Sequence, residues 1–291
     1  MTLLEPALAR LAEAHDSPVH LLTRSGHAPL ISLMENVRQV SRVWLRRYAA
    51  VYCYDHLDKS ALHAISTFSP DKELLLRSPT EVTKLHRIAF DEIRAPGIGD
   101  SFLAEYNWRY TLANARSAYR PPRLLQTPAD WKPADEPSGD YLLLNSTAGW
   151  KSKRWKSSAW AEVLRGLLDH GVPRILVTSG NQDWQVEHAH RITDTVADPR
   201  VTGLAGQTKL EEFLHLVAHA RMVLGVDGAA SHLANAFGGR SLTLFFRTNP
   251  HNWHATTPTS RAILAHHDEE ADTYEISTDE VLRNATDLWE G

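Results

Sequence analysis

The sequence predicts an α/β fold with parallel sheets, divided into two units. Three observations carry this. Short apolar runs alternate with amphipathic segments along the second half, with few residues between them. Those runs end in polar loops of small residues, as strands do when they feed helices. A proline-dense stretch (Pro121, Pro122, Pro128, Pro133 and Pro137, with Gly139) separates this half from a less regular first half. Proline at that density between periodic segments marks a linker. The units are therefore expected at 1–135 and 136–291, each built of strands and helices.

In the first unit, residues 3–14 have the apolar spacing of an amphipathic helix. A strand at 19–23 and a helical turn at 29–34 follow. Runs 40–44 and 50–54 read as further strands, 57–68 as a helix and 72–76 as a strand. Residues 90–118 read as mostly helical, broken at Pro96-Gly97. This unit opens with a helix, whereas a Rossmann-like unit normally opens with a strand.

The second unit is more regular. Residues 141–144 form a buried strand. Trp160, Val163, Leu164, Leu167 and Leu168 place a helix over 158–170, and Gly171 stops it. Strand 174–178, helix 183–196, short strand 200–204, helix 210–220 and strand 222–226 follow in order. A helix at 231–237, a strand at 241–246 and a last helix at 279–289 complete the unit.

Four loops in this unit carry candidate chemistry. Strand 222–226 runs into Asp227, Gly228, Ala229 and Ala230, and then into a helix with His232 in its first turn. A helix N-terminus leaves backbone N–H groups unpaired and suits a phosphate. Small residues let that phosphate approach the backbone. The plainer alternative is an ordinary turn with Asp227 as the helix cap. The loop after strand 141–144 holds Asn145, Ser146, Thr147, Gly149 and the cations Lys151, Lys153, Arg154 and Lys156. Lysine and arginine at a strand's carboxyl end could neutralise a diphosphate; the alternative is a solvated basic loop. Trp155 and Trp160 are expected to pack this loop on the next helix. The third loop is Thr178-Ser179-Gly180-Asn181-Gln182, and the fourth is Leu204-Ala205-Gly206-Gln207-Thr208-Lys209. Each alone reads equally as a capped helix start. Taken together, four such loops at one sheet edge describe a crevice for a phosphorylated nucleotide.

Composition narrows the function classes. A net charge of −4 and a pI near 6.5 give no overall attraction to nucleic acid or to an anionic membrane. The single cysteine, Cys53, excludes an intrachain disulfide and sits in a core-like context. No apolar run has the length of a membrane span, and the start lacks the pattern of a signal peptide. The expectation is a cytoplasmic protein, with peripheral contact at an inner membrane left open. Gly97-Ile98-Gly99-Asp100 lacks the third glycine and the preceding strand of a dinucleotide fingerprint. His266-His267-Asp268-Glu269-Glu270 lacks metal-ligand spacing and reads as an exposed loop.

The ordered set of four loops resembles glycosyltransferase family 9, the lipopolysaccharide heptosyltransferases. The resemblance is strongest over 141–246 and continues more loosely through Asn252-Trp253-His254. It implies a GT-B architecture, two Rossmann-like domains across a cleft, with the donor in the C-terminal domain and the acceptor in the N-terminal one. It further implies an inverting transfer of a heptose-like sugar from a nucleotide-diphosphate donor such as ADP-heptose to a lipopolysaccharide-core or related glycan acceptor, without metal or cofactor. By the same resemblance, Lys153 contacts the donor phosphates, and Asp227, Gly228 and Ala229 form the acidic donor turn. His232 stands beside the phosphates, Ser146 and Thr147 line the diphosphate, Gly180 belongs to the donor loops, and Gln207 and Thr208 line the base pocket. Asp227, His232 and Lys153 are the catalytic candidates.

Two departures are visible. Ala229 stands where many members have glycine. Residues 1–8 match the helix that follows the family's first strand, so that strand and its Gly-Asp loop, whose aspartate serves as general base, have no match here; Glu5 is the nearest carboxylate in sequence. The departure keeps two alternatives open: a donor-binding homologue impaired in catalysis, and a nucleotide-sugar epimerase of the same architecture.

Overall fold

The computed structural model describes residues 1–41, 47–54, 66–75, 82–94, 99, 101–112, 118–134, 139–255, 257–269 and 272–291. The chain divides into two compact units, Leu3–Pro122 and Arg123–Gly291. The boundary expected near residue 135 falls outside the described residues. The stretch after Arg123 already packs with the second unit: the Leu124 N–H donates to Ala236 O at 3.0 Å, and Thr127 Oγ1 pairs with His215 Nδ1 at 3.2 Å.

In the first unit a 3-10 turn, Thr2–Leu4, leads into α1 (Glu5–His15). Its apolar stripe of Ala7, Leu8, Leu11 and Ala12 is buried, as the spacing predicts. Glu5 is buried too, held by the Arg120 guanidinium through two bonds of 2.7 and 2.8 Å. A carboxylate closed in this way is a structural ion pair and no exposed base. β1 (Val19–Leu22) and β2 (Val37–Val40) pair in parallel, with α2 (Ala28–Ser32) between them in the chain. β3 (Ala50–Tyr54), β4 (Asp71–Leu75) and β5 (Glu92–Arg94) form a second parallel sheet, followed by α4 (Leu103–Tyr110). α3 (Lys84–Ala89) precedes β5, capped by Thr83.

One expectation changes here, and two others lie largely outside the described residues. β2 ends where the strand expected at 40–44 begins, and most of that span lies outside the described residues. The helix expected at 57–68 also lies largely outside them. Residues 90–118 are not one broken helix: they open with β5, whose Ile93 pairs with Leu74. Ile93 stands between Glu92 and Arg94, so no apolar run marks the strand, and only pairing with β4 reveals it. Cys53 packs beside Leu74, Ala89 and Phe90, and burial pushes its thiol up to about 12, which fits a core residue.

The second unit is a six-stranded parallel sheet in the order β11-β10-β9-β6-β7-β8. Its strands are β6 (Leu142–Asn145), β7 (Ile175–Thr178), β8 (Val201–Gly203), β9 (Met222–Val226), β10 (Arg240–Phe245) and β11 (Ser260–Leu264). β6, β7 and β9 are buried along their whole length, as their unbroken apolar runs require. The helices are α5 (Ser157–Asp169), α6 (Asp183–Val196), α7 (Leu210–His219), α8 (Ala229–Ala236), α9 (Pro250–Trp253) and α10 (Thr278–Glu290). Trp155 and Trp160 pack edge to face, 4.8 Å apart, and dock the loop after β6 on α5 as expected. β11 was not anticipated. Nor was the pairing at 266–272: the segment expected to be an exposed loop contributes β12 (His266–Asp268), which pairs antiparallel with β13 (Thr273–Glu275). It is exposed, as expected, but the His267 and Tyr274 rings stack across the two strands at 4.3 Å and order it. Among the described residues no helix is long and apolar enough to cross a membrane.

Strand order positions the site. The chain runs outward from β6 to β7 and β8, then returns to β9 on the other side of β6 and runs outward again. β6 and β9 therefore flank the topological switch point, and loops diverge there at their carboxyl ends. The two strands sit close. A Cβ on Gly225 would lie 2.5 Å from the Asn145 carbonyl oxygen, so β9 needs glycine opposite the end of β6.

Candidate functional site

Asp227 follows β9 directly and its side chain is 3 % exposed. It does not cap α8: Gly228 is the capping residue, and no side chain bonds to the first turn. The carboxylate turns instead to the loop after β6. Lys153 Nζ donates to Asp227 Oδ2 at 2.5 Å and to the Asp227 carbonyl at 3.3 Å. Thr248 Oγ1, beyond the end of β10, donates to the same Oδ2 at 2.5 Å. His232 Nε2, on α8, lies 3.9 Å from Oδ1. Burial holds the His232 imidazole below its ordinary value while the nearby carboxylate opposes that shift. Loops from three adjacent strands and the start of α8 thus converge on one carboxylate.

The surroundings are rich in unused donors. The hydroxyls of Ser146 and Thr147, at the end of β6, and of Ser231, in the first turn of α8, are buried without a hydrogen-bond partner. Buried hydroxyls are ordinarily paired, and these three have no partner among the described residues. The free N–H groups of α8 add to them. Lys153 cancels the charge of Asp227, so an anion approaching these donors meets no uncompensated carboxylate.

The loop after β6 is held in place. Gln185 of α6 donates to the Ala148 carbonyl at 2.8 Å, and a Cβ on Gly228 would lie 3.3 Å from the Ala148 Cβ. A family model described as glycosyltransferase family 9 (heptosyltransferase) matches residues 105–281, more than half of the chain. The chain belongs to glycosyltransferase family 9. Lipopolysaccharide heptosyltransferase 3 of Escherichia coli is 29 % identical over 114 residues, which are 39 % of this chain and 33 % of that protein. The chain thus matches about a third of the length of this curated relative. Among solved structures, E. coli ADP-heptose lipopolysaccharide heptosyltransferase II superposes with a TM-score of 0.79 at 17 % identity, covering 99 % of this chain and 94 % of the other. A family 9 glycosyltransferase from Veillonella parvula gives 0.80 at 12 % identity, over 99 % and 93 %. E. coli heptosyltransferase WaaC with ADP gives 0.77 at 19 %, over 99 % and 95 %. These likenesses establish a shared fold, α/β with parallel sheets of the GT-B type.

In this family 9 chain the four candidate loops differ in kind. Those after β7 and β8 are closed helix starts: Gln182 N–H donates to Gln185 Oε1 at 3.1 Å, and Lys209 N–H to Glu212 Oε2 at 2.8 Å. A Cβ on Gly180 would lie 2.3 Å from Gln185 Oε1, so a larger residue there would displace that side-chain amide. Gln207 is exposed and Thr208 half-buried, on the loop after β8. That strand lies two places from β6, about 10 Å away at ordinary strand spacing. Lys153, Asp227, Gly228 and His232 form one cluster, with Ser146 and Thr147 at the end of the same β6 and Ala229 exposed as the first residue of α8. Thr248 and Ser231 are site residues that sequence reasoning missed; Ser231 lies inside the helix start that reasoning had picked, Thr248 in a separate loop. The only available signal for Thr248 was its place beyond β10, next to a proline-opened turn at Asn249-Pro250.

Proposed function

We propose that this chain is an inverting glycosyltransferase that takes a heptose-like sugar from an ADP-heptose-like donor. The acceptor is a lipopolysaccharide core or related glycan, met at the cytoplasmic face of the inner membrane. The observation that carries the reading is the Asp227–Lys153–Thr248–His232 cluster at the switch point, surrounded by three partnerless hydroxyls. Family membership and the names of the relatives, which include ADP-heptose and lipopolysaccharide, support the donor and acceptor classes.

In this mechanism the diphosphate lies against the start of α8. Its oxygens accept from the helix N–H groups and from Ser146, Thr147 and Ser231. Lys153 stays paired with Asp227 and turns its remaining N–H to the bridging or terminal phosphate, offsetting the charge that develops as the glycosidic bond to phosphate breaks. Asp227 holds Lys153 in place before binding. His232 donates to the same phosphates, and the approaching anion raises its affinity for a proton. Gln207 and Thr208 lie along the edge where a base would extend, with Gly180 between.

Calorimetric titration with ADP, ADP-heptose, UDP and NAD tests the reading. Saturable binding of ADP and ADP-heptose is expected, stronger than for UDP and absent for NAD. His232→Ala and Lys153→Ala should weaken ADP binding while leaving the chain folded. Unchanged affinity in both variants would defeat the site assignment. Release of ADP from ADP-heptose only when a glycan acceptor is present would separate transfer from epimerisation.

A further inference from the structure

Trp150 is 65 % exposed, although its loop is fixed at several points. Its carbonyl accepts from the Lys153 N–H at 3.1 Å, closing the 3-10 turn Lys151–Lys153. Two residues earlier, Ala148 is tied to α6 through Gln185. The Lys153 ammonium that reaches Asp227 also lies 5.1 Å from the centroid of the Trp150 ring. A large indole is thus left open to solvent on a stiff loop, beside the cation of the donor site. A single exposed apolar side chain is ordinary on a protein surface; what distinguishes this indole is its place beside the Lys153 ammonium.

We propose that Trp150 is the platform on which the glycosyl ring of the nucleotide-sugar donor stacks. The inference rests on the donor reading above and adds a residue that selects the sugar. The glycosyl ring is bonded to the terminal phosphate. A phosphate held by Lys153 therefore places that ring within a few ångströms of the indole. One face of a sugar ring carries C–H groups, which are apolar and weakly positive. An indole face is apolar and electron-rich, and attracts such hydrogens as it attracts cations. Tryptophan with lysine also suits a lipid surface. Here, however, Lys153 turns inward to Asp227 instead of outward to a membrane, which favours the sugar.

The test compares ADP with ADP-heptose in calorimetric titrations of the full chain, its Trp150→Ala variant and its Trp150→Phe variant. Thermal unfolding of each variant confirms the fold. The unsubstituted chain should bind ADP-heptose more tightly than ADP. Trp150→Ala should lose that advantage, on the order of tenfold, with ADP affinity kept within about twofold. Trp150→Phe should keep most of it. An equal loss for ADP and ADP-heptose would overturn the proposal, since Trp150 would then serve the phosphates through Lys153. So would unchanged binding of both ligands, including the case where Trp150→Ala loses only its association with anionic phospholipid vesicles. If the unsubstituted chain binds neither ADP nor ADP-heptose, the donor reading itself fails, a result distinct from any variant-specific one.

Discussion

Replacing Lys153 by methionine keeps the unbranched stem of the side chain, one atom shorter, and removes its charge. Asp227, at 3 % exposure, would then keep only the Thr248 hydroxyl within bonding distance and His232 at 3.9 Å. Between charge centres ~3 Å apart, an effective dielectric of ~20 gives an attraction of about 5 kcal/mol. Solvent reaching the partly exposed ammonium and relaxation around the pair screen this further, to a coupling of about 2 kcal/mol. Lys153→Met and Asp227→Asn, singly and together, form a double-mutant cycle that measures that coupling by urea unfolding. Each single variant should lose about 2–3 kcal/mol, and the double variant little more than either. The same cycle read by ADP titration should give a different pattern. Lys153→Met weakens ADP by about 2 kcal/mol, roughly thirtyfold, through loss of a charge-assisted bond. Asp227→Asn should weaken it far less, because the lysine remains. A coupling below about 0.5 kcal/mol in stability would refute the pair as a buried ion pair. Equal effects of both single variants on ADP would refute the assignment of the phosphate contact to Lys153.

Three further outcomes are expected. His188 is buried on α6 with its Nε2 unpartnered, and burial lowers its imidazole from 6.5 to about 4. Between those values the unfolded chain binds a proton that the folded chain does not, so stability falls as pH drops from 6.5 to 4, by up to about 3 kcal/mol. Urea midpoints at pH 7, 6 and 5 should show that slope, and His188→Leu should flatten it; an unchanged slope would remove His188 as its source. Gly225→Ala puts a Cβ 2.5 Å from the Asn145 carbonyl oxygen and should cost more than about 2 kcal/mol in urea unfolding; a cost below about 0.5 kcal/mol would show that β9 can move from β6 freely. Ser231→Ala removes a buried hydroxyl that has no partner. It should leave the unfolding midpoint unchanged yet weaken ADP about fivefold, whereas unaltered ADP binding would mean the hydroxyl is not held for the ligand.

The regular half of the fold is legible because its strands are buried on both faces. An unbroken run such as Leu142-Leu143-Leu144 has one stable use, the centre of a parallel sheet, and Gly171 and Gly180 mark where the neighbouring helices stop and start. The first unit is less legible because its strands are mostly half-buried: β5 has one apolar residue between two charged ones, and only its register with Leu74 makes it a strand. At the site, sequence reasoning picked four loops of similar composition. It could not separate the two that are closed by Gln185 and Glu212 from the two that meet at Asp227.

The amino-acid sequence by itself determined the α/β class, the order of strands and helices from β6 to β10, and the residue types a phosphate requires. Those properties follow from local periodicity, turn chemistry and side-chain charge, all of which act over a few neighbouring residues. Only the tertiary structure decided that β9 lies against β6, bringing Lys153 to Asp227 across 74 positions of chain, that Thr248 joins them, and that Glu5 is sealed by Arg120. These are pairings between distant segments. Many partners of the same chemistry are available along the chain, and sheet order chooses among them by fixing which loops leave the same edge side by side.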